Sequence, residues 1–274
     1  MKLVYFGNDA MSSCIDVFLD DGWSISAFYT SPLDGHEEGI EAKAGQLSVS
    51  VYNDKPSLER MKRHVEDGVS MFFCAEYLHR IPVPVALQYA VNLHTSLLPL
   101  GRGAAPLPNI IENRQEVSGL TLHKLSDEFD QGDIILKRKV SISPTDSLNT
   151  LAVKMYTEAP KILRHFLADH EKLYAKAVPQ GEGENWPIPP VSTRLLDWHR
   201  PAEHLRQQIR AFGHFGTIMR MDKTYWLVTF AEVTHSSHSF VPGTLFYNTK
   251  DLIAVSCVDG FVCIPKRALI EIHS

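Results

Sequence analysis

Apolar and polar positions along this chain fall into blocks whose period alternates between that of a strand and that of a helix. Residues 2–6 form a short apolar run stopped by Gly7, the pattern of a buried strand. Residues 11–21 carry Ile15, Val17, Phe18 and Leu19 at helical spacing, with Gly22 in the C-cap place. Residues 23–29 predict a second strand, residues 55–66 another helix and residues 69–74 a third strand. A fourth strand is expected where the apolar runs 85–87 and 90–91 lead into Asn92 and His94. Strands alternating with helices predict a Rossmann-like α/β domain with a parallel sheet and crossover connections.

Past the middle the pattern changes. Residues 108–113 predict a short helix, and residues 119–124 and 134–140 two strands joined by an acidic loop. Thr145 and Asp146 are expected to cap a helix whose Leu148, Leu151, Ala152, Met155, Ile162, Leu163, Phe166 and Leu167 share one face. Pro160 is expected to kink it. Residues 179–190 are rich in Pro, Gly and Glu and read as a linker. One helix at 201–212 with Gly213 as its stop, then strands at 226–228, 252–258 and 261–265, predict a small β-rich domain. The expected organisation is a large domain over 1–178, a linker over 179–194 and the small domain over 195–274.

The chain has 274 residues, 44% hydrophobic and 22% charged, enough to build a sizeable core. No apolar run reaches membrane-spanning length and Met1 leads directly into a strand, so a cytoplasmic protein with no membrane partner is expected. Cys14, Cys74, Cys257 and Cys263 have no Cys-x-x-Cys spacing and read as buried thiols. The net charge of −5 has the wrong sign for a protein whose main partner is a polyanion, which disfavours nucleic acid. The thirteen histidines are dispersed; His235 and His238 form the close pair, in a Ser-rich loop, and no metal site is expected. Gly7 is followed by Asn8 and Asp9 with no Gly-x-Gly-x-x-Gly, so a dinucleotide is disfavoured too.

Candidate chemistry concentrates at Asn92-Leu93-His94. Side chains two apart on a strand point to the same side, so Asn92 can offer an amide donor beside the proton-handling ring of His94. An oxyanion stabiliser and a general base are what acyl transfer to an amine requires. The competing reading is a polar pair making structural hydrogen bonds at a strand end. In open α/β sheets ligands bind at the carboxyl ends of strands, which is where both residues are expected.

The surrounding residues add a family resemblance. Asn92-Leu93-His94-Thr95-Ser96-Leu97-Leu98-Pro99-Leu100-Gly101-Arg102-Gly103-Ala104-Ala105-Pro106 resembles the signature of the 10-formyltetrahydrofolate-dependent formyltransferases, which include the methionyl-tRNA formyltransferases and the amino-sugar N-formyltransferases. The stretch 122–135, with Phe129-Asp130-Gln131-Gly132-Asp133, is similar to that family's Leu-Asp-x-Gly-Asp loop, Phe129 standing where Leu is more usual. The opening strand with Gly7, and the blocks 196–198, 209–212 and 242–244, follow in the family's order. The resemblance implies Asn92, His94 and Asp130 as the catalytic trio. It implies folate contacts from His79, Arg80 and Ile81, from Ser96, Leu97, Leu98 and Pro99, and from Ser126, Asp127, Glu128 and Phe129. It implies 10-formyltetrahydrofolate as formyl donor, an OB-like small domain, and a homodimer as the oligomeric state the relatives suggest. Without the resemblance, Asp127, Glu128 and Asp130 read as a solvated acidic turn.

The acceptor is the open question. The tRNA-acting branch carries a long basic insertion after the second strand, whereas residues 31–41 here are short and include Glu37, Glu38 and Glu41. Acidic residues there repel phosphates. The leading expectation is a primary amine on a nucleotide-linked amino sugar, because the loop 98–107 and the block 196–199 look like those of the sugar-acting enzymes. Arg102 would then meet a carboxylate or phosphate of the acceptor; its alternative role is tying loop carbonyls together. Hydroxyornithine-type amines of siderophore assembly and methionyl-tRNA stand as alternatives. A hydrolase acting on the same folate and a non-catalytic folate-binding protein are the readings from other classes.

Overall fold

The computed structural model describes residues 1–31, 38–221 and 223–272. The acidic stretch expected at 31–41 therefore falls largely outside the described residues, Glu37 included. The chain folds as two compact units. The first takes residues 1–106, 117–141 and 153–187; the second takes 107–116, 142–152 and 188–274.

The first unit is built on a seven-stranded sheet. Its strands are β1 (Lys2–Gly7), β2 (Ser24–Tyr29), β3 (Ser50–Tyr52), β4 (Met71–Ala75), β5 (Tyr89–His94), β6 (Val117–Lys124) and β7 (Ile134–Ser141), in the order β3-β2-β1-β4-β5-β6-β7. Pairs from β3 to β5 are parallel, while β5–β6 and β6–β7 are antiparallel. This is the expected α/β class, a mostly parallel sheet with crossover helices. Crossovers include α1 (Ser13–Asp20), α2 (Glu38–Leu47) and α3 (Leu58–Glu66). The strand bearing Asn92 and His94 is thus the fifth in the chain and not the fourth. The short β3 and the Gly-containing, weakly amphipathic α2 carry too little apolar periodicity to be read from sequence. That strand also begins at Tyr89; Val85 is fully exposed in the turn before it.

The strands pack through aromatic rings. Phe6 stacks on Tyr29 at 4.8 Å between centroids and meets Phe72 edge-on at 5.4 Å, and Phe18 meets Phe73 at 5.0 Å. Offset and edge-to-face rings add roughly 1 kcal/mol per pair beyond burial, so this sheet centre is a rigid platform. After α4 (Pro106–Glu112), helix α5 (Leu148–Leu167) continues as one helix through Pro160. Its cap is Ser147, not Thr145 or Asp146: Ser147 Oγ accepts from Thr150 N at 3.3 Å while Thr150 Oγ1 accepts from Ser147 N at 2.9 Å. That reciprocal pair is a capping box with Thr in the usual Glu place. Asp146 instead accepts from Ser143 N at 2.7 Å and from Thr150 Oγ1 at 3.1 Å.

A short helix α6 (His170–Ala175) ends the helical part of the first unit. The second unit holds α7 (Val191–Arg194), α8 (Ala202–Phe212) and β8 (Thr217–Met221), β9 (Thr224–Val228), β10 (Glu232–His235), β11 (Leu245–Asn248), β12 (Leu252–Ser256), β13 (Gly260–Pro265) and β14 (Leu269–Ile272). They form a four-stranded sheet β10-β13-β12-β11 and a three-stranded sheet β14-β9-β8, all antiparallel. Leu205 and Ile209 of α8 bury against Val228, Val255 and Val262. The expected β-rich C-terminal part is present. Among the described residues no helix is long and apolar enough to cross a membrane.

Helix α5 gives a direct test of this packing. Leu163 is fully buried and Val153 is 63% exposed. Leu163→Ala should cost about 2–5 kcal/mol in urea unfolding, whereas Val153→Ala should stay within about 0.5 kcal/mol.

Candidate active site

Strand β5 lies between a parallel and an antiparallel neighbour, and this places the polar cluster. Register pairs Asn92 with Cys74 on β4 and with His123 on β6. Asn92 Nδ2 lies 2.9 Å from His123 Nε2 and donates to Asp130 Oδ1 at 3.2 Å. His123 Nδ1 lies 2.8 Å from the Lys124 carbonyl oxygen. A carbonyl only accepts, so Nδ1 carries the hydrogen and Nε2 of neutral His123 accepts from Asn92. Both amide hydrogens of Asn92 are therefore directed, one to a ring and one to a carboxylate.

His94 is anchored in the same manner. Its Nε2 sits 2.6 Å from the Gly101 carbonyl, which assigns the hydrogen to Nε2. Its Nδ1 then faces Asp130 Oδ1 at 3.5 Å. A proton arriving at Nδ1 would have that carboxylate oxygen beside it.

Asp130 joins the pieces. Its Oδ2 accepts from Gly103 N at 2.8 Å, and its Oδ1 faces Asn92, His94 and His123. Burial raises its carboxyl, but the nearby His94 and His123 rings and the Gly103 amide outweigh that and lower it to about 2. The backbone of Asp130 is left-handed, with φ +55°. Asp tolerates this region better than most residues, and Gln180 holds the turn by donating to the Asp130 and Gly132 carbonyls at 2.8 and 2.7 Å. Gly101 and Gly103 also have positive φ, and a Cβ on Gly101 would come within 2.6 Å of the Trp186 ring. Only glycine fits there.

The other expected residues are distributed around this centre. Ser96 and Leu98 are buried, with Ser96 Oγ donating to the Leu100 carbonyl at 2.8 Å and Leu98 N donating to Thr121 Oγ1 at 3.1 Å. The Leu98–Pro99 bond is cis. Arg80 ion-pairs with Glu128 at 3.3 Å and lies 5.3 Å over the half-exposed ring of Phe129, so the loops 79–81 and 126–129 meet. Ser126 Oγ donates to the Glu128 carbonyl at 2.7 Å, and His79 meets Tyr77 edge-on at 5.5 Å. Ile81 packs on the apolar cluster around Phe6 and Phe72. Arg102 donates from Nε to Gln180 Oε1 at 3.1 Å and from Nη2 to the Gly181 carbonyl at 2.8 Å, the loop-tying arrangement. Among the described residues no group of three or more His, Cys, Asp or Glu is arranged to hold a metal ion.

Sequence reasoning missed His123, Gln180 and Trp186. His123 had a usable signal, a histidine at the end of an apolar strand next to the acidic loop. Gln180 and Trp186 lie in the Pro- and Gly-rich stretch, where composition conceals their packing.

Comparison with known proteins gives the family. The formyl transferase family model matches residues 43–167, and the model of the formyl transferase C-terminal domain matches residues 191–270. The chain belongs to the formyltransferase family. Among solved structures, the formyltransferase resembles an N-formyltransferase from Helicobacter canadensis in complex with folinic acid and dTDP-3-aminofucose. The TM-score is 0.71 and the identity 18%, covering 96% of this chain and 98% of that one. It also resembles WlaRD, a sugar 3N-formyl transferase solved in the presence of dTDP and 5-N-formyl-THF, with TM-score 0.70 and 16% identity over 100% and 98% of the two chains. HypX from Aquifex aeolicus matches with TM-score 0.69 and 16% identity over 96% of this chain, which spans only 43% of HypX. At these identities the likeness concerns the fold.

The low Asp130 carboxyl makes a pH prediction with a definite sign. Unfolded, the group titrates near 3.9; folded, it titrates at about 2. Its contribution is complete above the unfolded value and is lost as pH falls through the folded one. In urea unfolding, the stability advantage of the wild type over Asp130→Asn should shrink by roughly 2 kcal/mol from pH 6 to pH 2. An advantage that stays constant across that range would refute this charge assignment.

Proposed function

We propose that this formyltransferase moves the formyl group of 10-formyltetrahydrofolate to the primary amine of a nucleotide-linked amino sugar, with Asn92, His94 and Asp130 as the catalytic groups in the first unit. The observation that carries the reading is the convergence of those three side chains at the carboxyl end of β5. The loops around them suit a folate in their chemistry. Exposed Leu78 and Phe129 offer apolar surface, and exposed Arg80 offers a cation for an anionic tail.

The residues divide the reaction as follows. The folate supplies the formyl group. As the acceptor nitrogen forms a bond to the formyl carbon, the carbonyl π electrons move to oxygen. Asn92 meets that oxyanion by exchanging its long bond to Asp130 for the developing charge, while His123 holds the other amide hydrogen. His94 takes the ammonium proton at Nδ1, because Nε2–H is committed to the Gly101 carbonyl. Asp130, ionised throughout, stabilises the imidazolium so formed. When the electrons return and the carbon–N10 bond breaks, His94 delivers its proton to N10. Atoms and charge balance without a covalent enzyme intermediate.

Several features support a small acceptor over tRNA. The net charge is −5, and α2 has Glu38 and Glu41 in its first turn. The Asp9 carboxylate already accepts from Gly39 N and Ile40 N at 2.8 Å each, placing negative charge at the end of α2 where an anion would otherwise bind. Arg102, held by Gln180 and Gly181, is the candidate cation for an acidic group on the acceptor. The sugar assignment is supported by the dTDP-sugar complex of the Helicobacter canadensis relative.

The test is spectroscopic release of tetrahydrofolate from 10-formyltetrahydrofolate across a panel of nucleotide-linked amino sugars, with hydroxyornithine and methionyl-tRNA as the other acceptors. Release dependent on one sugar is expected. Asn92→Ala should lower kcat by about 10²–10³ and His94→Ala by about 10²–10⁴. Acceptor-independent release would mean a hydrolase, and release only with hydroxyornithine or methionyl-tRNA would overturn the sugar assignment.

A further inference from the structure

We propose that Glu76 is a positioning residue for the transfer, a second carboxyl that tunes the proton affinity of His94. The inference rests on the formyl-transfer reading of His94, and begins with where Glu76 stands. Strand β4 ends at Ala75, which pairs with Leu93 on β5, so the next residue comes alongside His94. Glu76 leaves the strand with φ +58°, a conformation unfavourable for a side chain with a long stem. Such strain persists where the surroundings hold the residue, and it clusters at functional sites. The hydroxyl of Thr95, the residue after His94, donates to Glu76 Oε1 at 3.4 Å.

The titratable groups that act electrostatically on Glu76 are Tyr5 on β1, Cys74 on β4, His94 on β5, Asp130 in its loop and Tyr156 on α5. Burial holds Tyr5, Cys74 and Tyr156 in their neutral forms, so they supply no counter-charge. His94 is the group among these that can become a cation. Burial raises the Glu76 carboxyl, and His94 and the Thr95 hydroxyl pull the other way, while Asp130 raises it further.

The two carboxyls are therefore unlike. Asp130 stays ionised across the working range, a constant field on the imidazole. Glu76 is the adjustable group. Ionised, it strengthens the hold of His94 on the proton that the ring takes from the acceptor and later delivers to N10. Mutual influence of this kind appears as coupled titration steps belonging to the cluster, not to single residues.

The experiment pairs kinetics with a readout that needs no turnover. Glu76→Gln keeps the shape and removes the charge. Its kcat should fall about tenfold, and the acid limb of its pH profile should move down by about one unit, with both KM values unchanged. Thr95→Val removes the hydrogen bond that favours the ionised Glu76 carboxyl, and should move the limb in the same direction by less than Glu76→Gln. Glu76→Asp should restore the wild-type limb. In the wild-type protein, the His94 ring resonances should show an inflection shared with the Glu76 carboxyl carbon. An unmoved limb in Glu76→Gln, or a His94 titration without that shared inflection, overturns the proposal. The NMR arm works whether or not an acceptor has been found, so failure of the formyl-transfer reading and failure of the Glu76 role are distinguishable.

Discussion

One buried carboxylate organises the candidate site. Asp130 is a charge with about a tenth of its side chain exposed, and a charge in that setting is tolerable only when its lone pairs are filled. The Gly103 amide and the Asn92 amide donate to it, and the His94 and His123 rings face it. Those partners belong to β5, to β6 and to the glycine loop after β5. Satisfying this carboxylate therefore fixes how three separate pieces of backbone meet. The same contacts draw its carboxyl well below the usual range, so it stays ionised near neutral pH.

The sheet explains why those neighbours are available. The strand carrying Asn92 and His94 stands where parallel pairing gives way to antiparallel pairing. A parallel neighbour runs its carboxyl end up beside the site and delivers Cys74 and Glu76 there. An antiparallel neighbour delivers His123 and, through its hairpin, the Asp130 loop. A wholly parallel sheet could not bring a short hairpin back to that spot, because its connections need a crossover. The mixed edge is what closes the polar cluster around Asn92.

Much of this was legible in the sequence, for reasons that differ by element. Strands β1 and β4 announce themselves as apolar runs, as buried parallel strands do, and β2 shows itself through Ala27, Phe28 and Tyr29 after two serines. Helix α5 shows through its single apolar face. The short β3 is partly exposed and the Gly-containing α2 has two buried residues, so neither imposes a pattern strong enough to read. Asn92, His94 and Asp130 were named by their motifs, and the fold brings them together. His123 ends an apolar strand beside the acidic loop, but its partnership with Asn92 is set by the cross-strand register. Glu76 escaped because its position depends on a backbone turn that local composition does not encode.

Residues 179–190 read as a linker by composition, and the stretch 180–186 within it is fastened to the loop of the candidate site. Arg102 N and O bond to Glu184 O and Trp186 N, Gln180 holds the Asp130 turn, and the Trp186 ring lies against Gly101. The glycines at 181 and 183 let an extended strap lie close to the glycine loop, where a Cβ on Gly183 would come within 2.2 Å of the Pro99 carbonyl oxygen. Gly101 in turn presents its carbonyl to His94. The orientation of the His94 ring thus depends on a strap some eighty positions away, held by backbone bonds, the Gln180 amide and one indole.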